Sequence, residues 1–476
     1  MPTGKLKRLA FAVLAFAFAT NMLLLPLPAR AQDEGGDGEQ LKFIRDAEIE
    51  NYMHELAAPI ERVAGLDPHS VTFTIIESPT VNSFVAGGQH EFFYTGLLQL
   101  TASPEELAGV IAHETGHIAD GHLIRGEAEM HDASAEAIIG MILGAAAAAA
   151  AGNGQAAAGI FTGSQQIAER NYLTFSRSVE ASADAAGMSF LDKAGISTHG
   201  MLDFFEKLEG QELLPQDRQM EYVQTHPLTQ DRIDAVRYHW EHSPPALRNA
   251  KLPEKFYIMH RRMEAKLLGY LQPQEALLRY TDKDPRIPAR YALAIALYRT
   301  NQTDHAIKVT DGLIKDEPNN PFFYELKAQI QFENGRTEQS IGNYKKANDL
   351  LPDSSLLRQA YGHALLESHD PADLDLAIRQ LIEANQLEAH DPLTWHLLAV
   401  AWGRKGELGG TVQPYDGMVQ YALAEESIAR GNDKAAGQLA GRAMRALPKG
   451  SPYWLRAQDI KLTTAPEGDR DSGRHK

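Results

Sequence analysis

Ser103-Pro104-Glu105-Glu106, followed on the same run by His113-Glu114-Thr115-Gly116-His117, is the stretch that decides the fold. Ser103 can cap a helix, Pro104 suits a first helical position where its missing N–H costs nothing, and Glu106 can close a capping box. On that helix His113 and His117 stand one turn apart on one face, so two imidazoles can share a tetrahedral zinc ion. Glu114 is rotated beside them, where it can take a proton from a water without ligating, as a general base does. Just upstream lie strand signals at Val71–Ile76, Val81–Ala86 and His90–Tyr94, the last two joined by a Gly87-Gly88-Gln89 turn. A helical pattern from about Asp46 to Val63 precedes them. The fold class expected is α+β: a mainly helical domain with a small sheet.

Zinc needs a third protein ligand, best supplied by a second helix. Ser178-Val179-Glu180-Ala181-Ser182-Ala183-Asp184 offers Glu180 and Asp184 one turn apart among small residues that permit close helix approach. Glu180 is the expected ligand, and Asp184 the acceptor of a ligand imidazole's free N–H. The competing reading is two solvated acids on a surface helix. His90, His131 and His199 have no partner spacing, and His122 falls well round the helix from His117. His226, in Thr225-His226-Pro227, is either an exposed loop residue or a group facing the metal. Facing it, the ring either plugs the fourth position or donates to the oxyanion.

The first 31 residues carry Lys5, Lys7 and Arg8, a mostly apolar run over 9–25, and Ala29-Arg30-Ala31. This reads as an export signal cleaved after Ala31; a retained membrane anchor is the rival reading. Removing four basic residues and no acidic one takes the net charge from −17 to −21, a surface that repels nucleic acid and anionic lipid. With no cysteine, a thiolate zinc site, a cysteine nucleophile and lipid attachment to an N-terminal cysteine are all excluded. Residues 138–161, rich in Ala and Gly, read as a helical hairpin on the protein or against a membrane surface rather than as a span, so peripheral membrane contact stays open.

Beyond about residue 250 the strand signals stop. A shift of 34 residues aligns Ala294 with Ala328 and Gly362, Ala306 with Ser340, and Pro318 with Pro352. Small residues at helix crossings and a proline at each repeat end are the mechanics of tetratricopeptide stacking. About four units are expected, with Trp395–Trp402 a lone helix before an irregular segment near Pro414. The expected division is 1–31 signal, 32–250 metallopeptidase domain, 251–285 helical connector, 286–460 all-α repeat solenoid, and 461–476 a disordered tail.

Asn82-x-Phe84, Gly87-Gly88, Gly96-Leu97-Leu98, the His113 motif, Arg177-x-x-Glu180-x-x-x-Asp184 and Thr225-His226-Pro227 stand in the order seen in the HtpX-like and CAAX-prenyl-protease-related family of zinc metallopeptidases, which this chain resembles. The resemblance implies a gluzincin-type, zincin-fold catalytic domain with one zinc ion, His113, His117 and Glu180 as ligands, Glu114 as base and Asp184 behind the ligands. It also implies a periplasmic role in assembly or quality control of outer-membrane proteins. The substrates would be unfolded or misassembled proteins, with the outer-membrane β-barrel assembly machinery a candidate partner of the repeats. The rival function is a chaperone or scaffold whose repeats hold clients while proteolysis is secondary.

Overall fold

The computed structural model describes residues 42–121, 177–210, 220–409 and 412–464. The expected signal segment, the Ala-rich stretch 138–161, His122 and His131 lie outside them.

Four strands form one sheet: β1 Lys42–Ile44, β2 Thr72–Glu77, β3 Ser83–Ala86 and β4 His90–Tyr94, in the order β1-β2-β4-β3. β2 and β4 run parallel, and β1 and β3 flank them antiparallel. Gly87 and Gly88, both at positive φ, turn β3 back onto β4, a geometry that side chains bearing a Cβ resist. β3 is therefore an edge strand. β1, only three residues long, has no counterpart in the sequence reading; it pairs antiparallel on β2 just ahead of the first helix.

Helix α1, Ala47–Val63, is capped by Asp46, whose side chain accepts from the N–H groups of Glu48 and Ile49. Its Tyr52, Met53, Leu56, Ala57 and Ile60 recur at helical spacing and are fully buried, the stripe that packs against the sheet and the next helices. After the short α2, Thr95–Leu100, comes α3, Pro104–Ala119. Ser103 Oγ accepts from Glu106 N as expected, but the Glu106 carboxylate takes the N–H of Ala102 rather than that of Ser103. Further helices are α4 Arg177–Ala194, α5 His199–Leu208, α6 Glu221–Thr225, α7 Gln230–His242, α8 Pro245–Arg248, α9 Glu254–Leu271 and α10 Pro273–Arg279.

The boundary expected at residue 250 cuts through a core. Helix α9, read from the sequence as part of a connector, places Phe256, Met259, Met263 and Leu267 in the same apolar cluster as α1, α3 and α5. Its His260 bridges the Tyr52 hydroxyl and the Thr101 carbonyl, each at 2.9 Å. Burying four such side chains is worth roughly 6–12 kcal/mol, as large as the whole stability of an ordinary domain, about 5–15 kcal/mol. A chain ended near Asn249 is therefore expected to lose cooperative folding and zinc binding, whereas one ended after Leu271 keeps these contacts. Circular-dichroism melting separates the two, and a wild-type melt for the shorter chain would contradict the packing.

The arm continues through α11 Ile287–Arg299, α12 Thr303–Asp316, α13 Pro321–Glu333, α14 Thr337–Leu350, α15 Ser355–Leu366, α16 Asp373–Leu387, α17 Pro392–Gly409, α18 Val412–Ala429, α19 Asp433–Ala446 and α20 Pro452–Thr463. Ala294, Ala306, Ala328 and Ser340, aligned by the 34-residue shift, are all fully buried, as helix crossings require. The segment near Pro414 is helical, not irregular: Pro414 sits in the first turn of α18, where a missing N–H breaks no intrahelical bond. Helix α20 runs to Thr463, past the expected start of the tail.

The start of α1 is held by the arm. Ala47 packs with Phe322, Ala347 and Leu357. Buried Lys266 of α9 lies 2.8 Å from Asp46 and 3.5 Å from Glu48. Glu48 also takes Arg262 at 2.9 Å and the Tyr291 hydroxyl at 2.7 Å.

Candidate metal centre

Helix α4 crosses α3 at Gly116, where a Cβ would stand 2.7 Å from the carbonyl oxygen of Ala183. The bare glycine lets the two helices touch, and Glu180 and Asp184 are thereby brought under His113 and His117. All four are buried.

His113 Nε2 lies 3.1 Å from His117 Nε2 and 3.3 Å from His226 Nδ1. Glu180 closes the cluster: Oε2 is 3.4 Å from His113 Nε2 and 3.2 Å from His226 Nδ1, and Oε1 is 3.5 Å from His117 Nε2. Ligands at zinc's usual 2.0–2.1 Å in a tetrahedron stand about 3.3–3.4 Å apart, so these edges match that sphere. One oxygen each of Glu114 and Glu180, Oε2 and Oε1, is buried without a hydrogen-bond partner among the described residues. Orphaned carboxylate oxygens beside converging imidazole nitrogens are costly until a cation joins them.

The remaining ring nitrogens set the tautomers. His113 Nδ1–H donates to Asp184 Oδ1 at 2.9 Å, leaving Nε2 free to ligate. His226, at the C-terminus of α6, donates Nε2–H to the Ser83 carbonyl at 3.1 Å, which turns Nδ1 to the cluster. Its ring stacks on Tyr222, with centroids 4.8 Å apart. Asp184 is gripped by Arg232, whose Nε donates to Oδ2 at 2.6 Å and whose second terminal nitrogen donates to Oδ1 at 2.9 Å. The same guanidinium reaches the Pro227 carbonyl at 2.7 Å and Glu180 Oε2 at 3.0 Å. Arg232 thus ties the loop after His226 to both acids of α4. Nothing in the sequence marks it beyond its place one turn into the helix that follows Thr225-His226-Pro227.

Of the other histidines, His90 is exposed and meets the Thr72 hydroxyl. His199 pairs with Asp203 at 2.9 Å, both side chains open to solvent.

Burial alone would push the His113 pKa down from its ordinary 6.5, but the hydrogen bonds its ring donates to Asp184 and Glu180 carry it up to about 10. Burial likewise opposes charge on Glu180, yet His226 and His113 bring its carboxyl well below the usual range. The raised His113 value means that the protonated ring stabilises the metal-free fold fully below about pH 6.5, and that this stability is lost as pH rises through about 10. Zinc has to take that proton's place. Near pH 7, zinc binding should therefore release about one proton from His113, and the apparent affinity should weaken about tenfold per unit as pH falls. Calorimetry in buffers of different ionisation heat reads the release, and an affinity flat between pH 6 and 8 would contradict it. In the same assay His113→Ala, His117→Ala and Glu180→Ala should each lose the metal.

Residues 44–239 match peptidase family M48. That stretch is similar to the M48 peptidases. It is similar to the beta-barrel assembly-enhancing protease of Yersinia pestis, 24% identical over 370 residues that cover 76% of this chain and 74% of that protein. The putative beta-barrel assembly-enhancing protease of Vibrio cholerae serotype O1 is 28% identical over 367 residues, covering 75% and 72%. Metalloprotease YcaL of Escherichia coli K12 is 30% identical over 168 residues, 35% of this chain and 61% of that one. The matched M48 region spans His113, His117, Glu180 and His226, the one group among the described residues that is arranged to hold a metal ion, with ligand atoms all within 4.8 Å of one another. The protein is a metalloprotease, and this cluster fits its single zinc.

Proposed function

We propose that this chain is an exported zinc endopeptidase that cuts unfolded or misassembled proteins during outer-membrane protein assembly and quality control. The observation that carries the chemistry is the convergence of His113, His117 and Glu180 with a buried Glu114 whose Oε2 has no hydrogen-bond partner. Zinc, when bound by those three residues, supplies the charge that polarises a peptide carbonyl and makes a water acidic enough to react near pH 7. Glu114 removes a proton from the attacking water as its oxygen bonds to the peptide carbon, then delivers that proton to the departing nitrogen as the C–N bond breaks. Asp184, clamped by Arg232, keeps His113 in its ligating tautomer.

His226 is the resting occupant of the fourth corner. β3 is an edge strand, the kind that takes an extended peptide, and the segment around α6 occupies that edge. Tyr222 N–H donates to the Val81 carbonyl at 2.9 Å, His226 Nε2–H to that of Ser83, and Thr225 Oγ to Asn82 Oδ1 at 3.1 Å. An added substrate strand competes for the Val81 and Ser83 carbonyls and so unseats the imidazole. Backbone pairing reads extension rather than sequence, which suits a protease of unfinished β-rich chains. The role in outer-membrane assembly rests on the relatives' names, and export rests on the character of residues 1–31. Among the described residues no helix is long and apolar enough to cross a membrane.

Digestion of an unfolded outer-membrane β-barrel protein and of a folded one, with and without chelator, tests this reading. Only the unfolded protein with zinc present should be cut, and equal cleavage after chelation would end the proposal.

A further inference from the structure

The Ser83 hydroxyl has no part in the reaction as proposed, yet it is fully buried and donates to Glu114 Oε1 at 2.6 Å. It is the one hydrogen bond that the carboxylate receives among the described residues, and it leaves Oε2 as the unpartnered oxygen. A carboxylate has two equivalent oxygens and turns easily about its last side-chain bond. A single strong donor on one of them is enough to stop that rotation.

Ser83 is itself held from two sides. Its backbone lies opposite Phe93 in the β3–β4 ladder, and its carbonyl accepts from His226 Nε2. The donor therefore stands on a strand rather than a mobile loop, and a rigid base is worth most when the reacting atoms must meet within a few tenths of an ångström. A buried serine in a strand ordinarily satisfies its hydroxyl on nearby main chain; this one spends it on Glu114, which belongs to another element. We infer that Ser83 is a positioning residue: by pinning Oε1 it presents Oε2 of Glu114 to the attacking water and to the departing nitrogen. The inference rests on the reading of Glu114 as the base.

The test uses full-length, zinc-loaded protein. Ser83→Ala should bind zinc stoichiometrically and melt near the wild-type temperature, while kcat for a short peptide falls roughly 10- to 100-fold at nearly constant KM. Calorimetric affinity for a phosphinic peptide, whose tetrahedral group mimics the transition state, should fall by the same factor. Ser83→Cys, with a weaker donor in the same place, should lie between. Unchanged kcat and unchanged phosphinic-peptide affinity in Ser83→Ala would overturn the inference. So would a loss of turnover accounted for by lost zinc, with the affinity of the zinc-loaded fraction intact. Glu114→Gln run alongside separates the two readings. If it is inactive while Ser83→Ala is normal, only the Ser83 inference falls; if it retains turnover, the base itself was misassigned.

Discussion

Replacing Glu114 by Gln is expected to leave about one zinc per chain in place and to cut peptide hydrolysis by roughly 10²–10⁴-fold, the usual contribution of general acid–base catalysis. The amide keeps the size of the side chain and can still meet the Ser83 hydroxyl, so the fold and the cluster of His113, His117 and Glu180 are undisturbed. What it loses is the proton acceptor. The loss should fall on kcat, because the carboxylate acts on the water rather than on the bound peptide. Metal analysis and steady-state kinetics on the same preparation decide the matter. Turnover within a few-fold of wild type, zinc being retained, would remove Glu114 from the mechanism.

His226→Ala should act in the opposite direction. On the proposed reading Nδ1, 3.2 Å from Glu180 and 3.3 Å from His113, would fill the position that the attacking water needs. If the seated form outweighs the open one by about 99 to 1, removing the ring raises basal cleavage about 100-fold. Zinc affinity should fall at the same time, since one of four contacts is lost. A fall in cleavage of about 10²–10³-fold with tighter or equal zinc would instead assign His226 to the oxyanion. The present geometry favours the first outcome because Nε2–H is already committed to the Ser83 carbonyl, whereas an oxyanion donor needs a free N–H.

What could be read in advance was whatever depends on neighbours along the chain. The Ser103-Pro104 helix start, the turn at Gly87-Gly88 and the pairing of residues four apart on α3 and α4 are local facts, and the M48 relatives agree with the enzyme class they implied. Features set by the tertiary fold were not legible. Arg232 and Ser83 are ordinary in sequence and acquire meaning only when α7 and β3 are laid against α3 and α4. Helix α9 carries a normal amphipathic pattern, which says that one face is buried but not in which core; the sequence places it in a helical connector, yet Met259 and Met263 complete the first cluster. The segment near Pro414 reads as irregular because the place of a proline in the first turn of a helix cannot be known before the helix is.

The buried charges at the start of α1 bear on how the molecule can be inherited. Lys266 and Tyr291 meet Glu48 in a place closed to solvent, with Asp46 and Arg262 at its rim, and losing one member of such a set strands the buried ones without water. The arm is therefore not an interchangeable cassette. A repeat array exchanged with that of another protease would have to bring a matching hydroxyl at position 291, and the new fusion would have to keep α9 intact. Drift at either end of the joint is constrained by the other, so residues 46, 48, 262, 266 and 291 should change together or not at all across a lineage.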